Sequence, residues 1–372
     1  MKILHITDYF NEYVAYQENL LTVGQKELGH EVVVLTSNLL IEIPSTIGAR
    51  KTETGKFSFK GVKIIRSQYI IEIKKNSLLF FRNVLANLFT ERPDYIFIHD
   101  KGLYMFSIIA YKIFVKPSVI LRMDFHSDYS NSFNSKFGKI YHNSFRLFFN
   151  IFGYLFDKYY YIAPEMGKFI HEVYRLPKNK SFLLRLPGDE GESTNFSKNF
   201  LRNKWNLKEM EIYIIHSGKL PEGKKTLELI YAIKELNLNL LICGSINDSN
   251  EGLLLRKEIE NEKKVKYIGW VNPEELRELI KCSDVMVQPG SLSNTFVEAV
   301  CIGTPLILAD TPQANDLICN ENGIIIENKT TIEDIKTAIE VFINNKEIYT
   351  ENAKNIKELF NYKNIAKESL II

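Results

Sequence analysis

Short apolar runs, each followed by a turn and then by a stretch of helical spacing, recur along the whole chain. Residues 2–7, 31–36, 62–65, 95–99 and 119–123 read as buried strands of a parallel sheet. Between them, residues 17–28 carry Leu20, Leu21 and Leu28 at helical spacing and stop at Gly29-His30; residues 78–88 also read as a helix. Residues 140–161 are crowded with aromatic side chains, and the commoner reading is a core-facing helix running into a strand at 160–163. Lys139, Arg146 and Lys158 are interleaved there, so the same stretch also suits a membrane surface, and residues 78–82 with Lys74 and Lys75 form a second such patch.

Periodicity lapses from Pro187 to Lys204, where Gly188-Asp189-Glu190-Gly191-Glu192-Ser193 is polar and turn-rich, and the interdomain linker is placed here. Alternation then restarts. Strands are expected at 212–216, 238–242, 265–268, 285–287, 306–308 and 324–326, and helices at 227–236, 253–260, 273–280, 295–301 and 332–343. The expected fold class is α/β: two doubly wound, Rossmann-like parallel-sheet domains facing a cleft, with ligands outside the carboxyl ends of strands. The domain reading is 1–187 and 188–354, with the last helix, about 355–372, packing back on the first domain.

Composition narrows the function classes. With 372 residues and a 45% hydrophobic fraction, two ordinary cores are available. A net charge of +2 gives no electrostatic case for nucleic acid. Cys243, Cys282, Cys301 and Cys319 are scattered in or beside apolar runs, which favours buried thiols over a zinc or disulfide framework. No signal-peptide pattern follows Met1 and no apolar run reaches membrane-spanning length, so a cytoplasmic protein is expected.

The stretch from Val285 to Asp310 holds the strongest chemistry. A strand, a turn of small and hydroxyl residues and a helix N-terminus make an anion site, with Ser293, Asn294 and Thr295 capping or donating to phosphate. Glu298, one turn into that helix, is placed to reach a sugar hydroxyl. After an earlier strand, Gly218 allows close backbone approach, while Lys219 and Lys224 supply positive charge suited to a diphosphate. The Gly269-Trp270-Val271-Asn272 turn offers backbone groups to a nucleobase. In the first half, Asp124-Phe125-His126-Ser127-Asp128 sits at a strand end, where His126 can hydrogen-bond a substrate hydroxyl or carry protons. Asp8 and His99 lie near other strand ends. Each feature has an ordinary structural reading as cap, loop lysine or turn.

In order along the chain, these pieces resemble the retaining GT-B glycosyltransferases of the family-4 type. The likeness rests on the opening strand with Gly29-His30-Glu31-Val32, the Arg92-Pro93-Asp94 strand, Gly218-Lys219-Leu220 with Lys224, the Gly269 turn, and Val297-Glu298-Ala299 with Gly303-Thr304-Pro305. The resemblance implies transfer of a sugar from a nucleotide-diphosphate-sugar co-substrate to a glycan or lipid-linked acceptor. It also implies a place in bacterial cell-surface polysaccharide biosynthesis. No metal is required if the lysines and the helix dipole neutralise the diphosphate, no other cofactor is expected, and peripheral contact at the inner face of the membrane is left open by the aromatic and basic stretches. Lys219 and Lys224 would hold the diphosphate, Val271 the base, Glu298 the ribose, and His126 the donor sugar; Asp8, His99, Asp124 and Asp128 fall on the acceptor side. Two positions depart from the family pattern. Gly290 stands where a first glutamate is usual, and Phe10-Asn11-Glu12-Tyr13 replaces a glycine-rich loop. The readings set beside the transferase are an inactive relative that binds a partner or membrane, a sugar-nucleotide epimerase, and a phosphorylase.

Overall fold

The chain forms two compact units, Met1–Leu186 with Tyr362–Ile372, and Pro187–Asn361. The computed structural model describes residues 1–12, 16–40, 50–73, 78–127, 129, 135–221, 223–291, 295–327 and 330–371, with only the backbone of 193, 194 and 312. Asp128, Ser293, Asn294, Lys74 and Lys75 lie outside the described residues.

In the first unit the elements are β1 (Lys2–Ile6), α1 (Gln17–Glu27), β2 (Glu31–Ser37), β3 (Gly55–Phe59), β4 (Val62–Ser67), β5 (Tyr69–Ile73), β6 (Leu78–Phe81), α2 (Val84–Glu91), β7 (Tyr95–His99), α3 (Met105–Phe114), β8 (Ile120–Phe125), α4 (Lys136–Phe152), β9 (Lys158–Tyr161), α5 (Pro164–Val173) and β10 (Ser181–Leu183). Eight strands form one sheet in the order β10-β9-β8-β7-β1-β2-β4-β3. All its pairs are parallel except β3 with β4. The chain winds outward from β1 through β2 to β4, then returns to place β7 on the other side of β1 and winds outward again.

Two sequence expectations change here. Residues 78–88 are not one helix: Leu78–Phe81 is a strand paired antiparallel with β5, and the helix starts only at Val84. The local pattern explains this, because Leu79 and Phe81 are buried while Phe80 is exposed, a period of two, and Asn83 turns left-handed at φ 64°. The aromatic stretch is core-facing on one side only. In α4, His142, Phe145, Phe148 and Phe149 are buried, whereas Phe137, Ile140, Leu147 and Ile151 form an exposed apolar stripe, Ile140 at 67% and Leu147 at 61%.

The second unit comprises α6 (Lys198–Lys204), β11 (Tyr213–Ser217), α7 (Thr226–Leu236), β12 (Asn239–Cys243), α8 (Asn250–Asn261), β13 (Val265–Gly269), α9 (Pro273–Cys282), β14 (Val285–Gln288), α10 (Thr295–Ile302), β15 (Leu306–Ala309), α11 (Pro312–Leu317), β16 (Gly323–Ile326), α12 (Ile332–Asn344) and α13 (Lys346–Asn355). Its six-stranded sheet runs β13-β12-β11-β14-β15-β16, with every pair parallel. The end of the expected linker is a helix, α6. Buried Asp284 fastens it, accepting from Arg202 Nη2 at 2.8 Å and Lys198 Nζ at 2.9 Å, and it also takes Lys346 Nζ at 2.7 Å and the Tyr213 amide at 2.8 Å. Cys243, Cys282 and Cys301 are buried free thiols and Cys319 is partly exposed.

The last helix, α14 (Tyr362–Glu368), belongs to the first unit and packs on α1. Gly24 permits this: a Cβ there would lie 2.7 Å from Ala366 Cβ. The carbonyl of Ser369 then accepts from Arg122 Nη1 at 2.7 Å and Tyr95 Oη at 2.9 Å inside the unit. Gly24→Leu is therefore expected to lift α14 off α1 and lower stability by about 1–3 kcal/mol, read as a fall in thermal unfolding midpoint. An unchanged midpoint would show that this seat does not constrain the C-terminal segment.

Candidate functional sites at the two winding reversals

In an open parallel sheet the ends of the two strands flanking a winding reversal are left uncovered, because the following helices depart to opposite faces. In the second unit those strands are β11 and β14. β11 ends at Ser217, followed by Gly218, and β14 ends at Gln288, followed by Pro289-Gly290-Ser291. The neighbouring strand ends close over them through backbone. Gly218 N donates to Cys243 O at 3.0 Å and Gly244 N to Gly269 O at 2.7 Å. Gly244 cannot be another residue, since its φ is +128° and a Cβ would stand 1.9 Å from Gly218 O.

Lys224 is 5% exposed and reaches back to this point, donating from Nζ to Ser291 O at 2.6 Å. Gln288 Nε2 donates to the same carbonyl at 2.9 Å, and the Ser291 amide donates to Gly223 O at 2.9 Å. The hydroxyls of Ser217 and Thr295 are 2.9 Å apart, which ties the end of β11 to the first turn of α10. Beneath them, His216 bridges Val287 O at 2.9 Å and Thr226 Oγ1 at 3.0 Å; burial pulls its pKa down to about 4, so it is neutral near pH 7. The structure thus brings Gly218, Lys224 and Thr295 together. Lys219 is exposed on the intervening loop, and Val271 lies between β13 and α9.

The departure at Gly290 has a steric cause. A Cβ at this position would stand 2.1 Å from Gly223 O and 2.6 Å from the Lys224 carbonyl carbon. No glutamate fits there without displacing the segment that carries Lys224.

Glu298 is buried in α10 and accepts at Oε1 from Arg277 Nη2 of α9 at 3.2 Å. Arg277 also holds Glu274 at 3.0 Å and Asp189 at 3.7 Å. Burial pushes the Glu298 carboxyl up to about 7; Arg277 opposes this, and Asp189 and Glu274 reinforce it. Sequence reasoning missed Arg277. Its signal is weak, a charged residue on the apolar side of an amphipathic helix beside Leu276, Leu279 and Ile280.

In the first unit the reversal lies between β1 and β7. Asp8 follows β1, His99 ends β7 with Asp100 after it, and Asp124 near the end of β8 is followed by His126. His99 Nδ1 is 2.9 Å from Asp124 Oδ2, while Oδ1 accepts the Asp100 amide at 3.0 Å and lies 3.4 Å from His126 Nε2. Burial favours a neutral Asp124 carboxyl, but His99 and His126 overcome it and hold the group well below the usual carboxylate range. Burial also works against the His126 cation, yet Asp124, with Asp100 and Glu18 behind it, raises that ring to about 9. Asp8 is raised well above its ordinary value by burial, with Asp100 and Glu72 adding repulsion. His126 keeps 34% of its side chain exposed and Asp124 none, so the imidazole is the face of this cluster. His5, Gln25 and Asp100 also belong to it and were missed. A lone histidine inside the otherwise apolar first strand was the available signal, because a buried polar group must have a partner. Among the described residues no three His, Cys, Asp or Glu side chains form a metal-ligating group.

The family described as "Glycosyl transferases group 1" matches residues 197–359. A Methanocaldococcus jannaschii protein named as an uncharacterized glycosyltransferase is 29% identical over 184 residues, 45% of this chain and 46% of that one, so the match spans under half of that relative. The crystal structure of a glycosyltransferase from Rickettsia africae aligns with TM-score 0.71 at 15% identity, over 99% of this chain and 96% of that one. Anabaena Alr3699/HepE in complex with UDP and glucose aligns with TM-score 0.65 at 14% identity, over 99% and 98%. No described helix is long and apolar enough to cross a membrane. Residues 197–359 thus match the glycosyl transferases group 1 family, in a chain with the fold of GT-B glycosyltransferases.

Proposed function

We propose that this protein moves a sugar from a nucleotide-diphosphate-sugar donor to a glycan or lipid-linked acceptor, with retention, in bacterial cell-surface polysaccharide biosynthesis. The observation that carries this reading is the reversal point of the second unit, where a buried lysine, close-packed glycine backbone and the start of α10 converge. In the transfer, the bond from the anomeric carbon to the β-phosphate oxygen breaks and its electron pair leaves with the phosphate. The acceptor oxygen bonds that carbon and gives up its proton to the departing phosphate oxygen. Negative charge grows on the diphosphate, so Lys224, Lys219 and the start of α10 at Thr295 are assigned to stabilise the transition state more than the ground state, with Ser293 and Asn294 as further donors. In this reading Gly218 admits the phosphates, Val271 offers backbone to the base, and Glu298, held by Arg277, accepts from the ribose. No metal or other cofactor is assigned.

His126 is assigned to a hydroxyl of the sugar, as a cation. Asp8 and Asp128 remain acceptor-side candidates. Asp124 and His99, buried at 0% and 6%, are reassigned from direct acceptor contact to support of His126. The occupied backbone at Gly290 favours one second reading, an inactive relative that binds a partner or the membrane. Absence of nucleotide binding in folded protein, together with tight association with a partner glycosyltransferase or with vesicles, would support that reading.

The protein is further proposed to sit at the inner face of the cell membrane. The exposed stripe of α4 is flanked by Lys136, Lys139 and Arg146, and no acidic residue occurs in Lys136–Phe152. Phe106 of α3 extends the apolar face, its ring 5.3 Å from Phe148. An apolar helix face flanked on its own helix by cations and no acidic residue matches an anionic lipid surface.

Three outcomes are expected. In a thermal-shift panel of UDP, GDP, ADP and CMP, one nucleotide raises the unfolding midpoint, and Lys224→Ala weakens its binding about 10–100-fold. No shift with any of them, in folded protein, contradicts the donor-site assignment. Gly290→Ala lowers stability by about 1–3 kcal/mol and weakens the same nucleotide; full binding in a stable variant would show that the Gly223–Lys224 backbone is not part of the site. The protein floats with vesicles containing anionic phospholipid and not with zwitterionic ones, and Ile140→Glu with Leu147→Glu abolishes flotation. Flotation unaffected by the double substitution removes α4 from the contact.

A further inference from the structure

Behind His126 a line of buried polar groups runs through the first unit, and its hydrogen-bond directions can be assigned from both ends. At one end Ser369 Oγ donates to Ala366 O at 2.6 Å, so its oxygen is the acceptor for Gln25 Nε2 at 3.0 Å. That sets the Gln25 amide, whose Oε1 lies 2.7 Å from His5 Nε2. A carbonyl oxygen only accepts, hence His5 Nε2 carries a proton. At the other end, Asp124 receives the Asp100 amide on Oδ1 and faces His99 Nδ1 with Oδ2, so this nitrogen also carries a proton. The middle link, His5 Nδ1 to His99 Nε2 at 2.9 Å, needs one proton of its own.

Three links thus require three protons on four ring nitrogens. We infer that His5 and His99 together carry one fixed positive charge beneath Asp124, and that Gln25 and His5 are positioning residues that set how tightly Asp124 holds the proton of His126. The charge rests on His99, which touches the carboxylate. His5 faces only an amide oxygen and another ring, and burial with the nearby His99 charge pulls its pKa down to about 3. Asp124 is then shared between two imidazolium rings instead of serving His126 alone. Among the described residues the groups around the cluster are as follows. Glu18 of α1 and Asp100 after β7 favour the His126 cation. Lys101 is taken up by Asp100 Oδ1 at 2.6 Å and Ser127 Oγ at 2.7 Å. Asp8 after β1 faces Asp100 and Glu72, Arg122 of β8 is spent on Ser369 O and Tyr160, and the C-terminal segment presents the uncharged Ser369.

The chain length of this device gives it a use. Gln25 and Ser369 have no exposed surface, yet they decide the charge on His99 and through it the proton on a ring open to substrate. The catalytic consequence rests on the proposed transfer reaction; the charge assignment does not.

Ring ¹⁵N spectra of histidine-labelled full-length protein, titrated over about pH 5.5–11 without substrate, test the assignment. In the native protein His99 is expected to show two protonated nitrogens near neutral pH, and His5 a neutral ring with its proton on Nε2. Gln25→Leu removes the fixed acceptor, so two protons suffice for the pair, His99 becomes neutral, and Asp124 tightens on His126. The His126 midpoint then rises by about one unit, and His5→Phe produces the same rise. Unchanged signals of His142, His171 and His216 report an intact fold. A singly protonated His99 in the native protein overturns the inference, whether or not the variants fold. So does a His126 midpoint that stays put in both folded variants. Nucleotide binding, measured separately, decides the donor-site reading, so the two can fail independently.

Discussion

A parallel sheet cannot turn back on itself by a hairpin; each strand must be reached by a crossover, and the crossovers must change direction somewhere if both faces are to be covered. Both units change direction once beside their first strand, at β1 against β7 and at β11 against β14. At that place the strand ends run into loops among the described residues. Each candidate cluster stands there, and the residues that matter are those the chain emits as it leaves the sheet: Asp8, His99, Asp100 and His126 in one unit, and Gly218, Gly290, Ser291 and Thr295 in the other.

The two reversals are filled by different chemistry. The second unit places backbone against backbone, so tightly that Gly244 and Gly290 have no room for a Cβ, and sets one buried lysine beneath. That suits an anion recognised by amides and a cation. The first unit instead carries charge into its core. His5, His99, Arg122 and Asp124 alternate with apolar residues along β1, β7 and β8, so they share the face covered by α1 and the C-terminal segment. His5, His99 and Asp124 satisfy one another, and Arg122 is held by Tyr160 Oη and the Ser369 carbonyl. The return of α14 to α1 completes the set, since Ser369 supplies both the anchor for Gln25 and the carbonyl for Arg122.

Much of this was legible in the sequence, for a physical reason. Central parallel strands are apolar on both faces, so 31–36, 95–99 and 306–308 announce themselves, and Gly, Pro and cap residues mark the ends of the helices between them. Edge elements were harder. The β5–β6 hairpin is half-exposed and mixed in character, and α6 hides in a polar stretch because Asp284, distant in sequence, holds it. The apolar outer face of α4 could not be separated from its core face, because aromatics occupy both. At the sites, Lys224, Thr295 and Glu298 were visible through their position after a strand. Arg277, His5 and Gln25 were not, since their roles depend on neighbours brought together only by folding.

The central claim is that the reversal point of the second unit is where a nucleoside diphosphate sits. Its most direct test is residue-resolved amide hydrogen exchange of the full-length protein with and without a saturating nucleotide sugar. The account predicts slowed exchange at the amides of Gly218, Lys224, Ser291 and Thr295, with the ends of β15 and β16 unchanged. Slowed exchange confined to other parts of the chain, with these four amides unaffected at saturation, would contradict it.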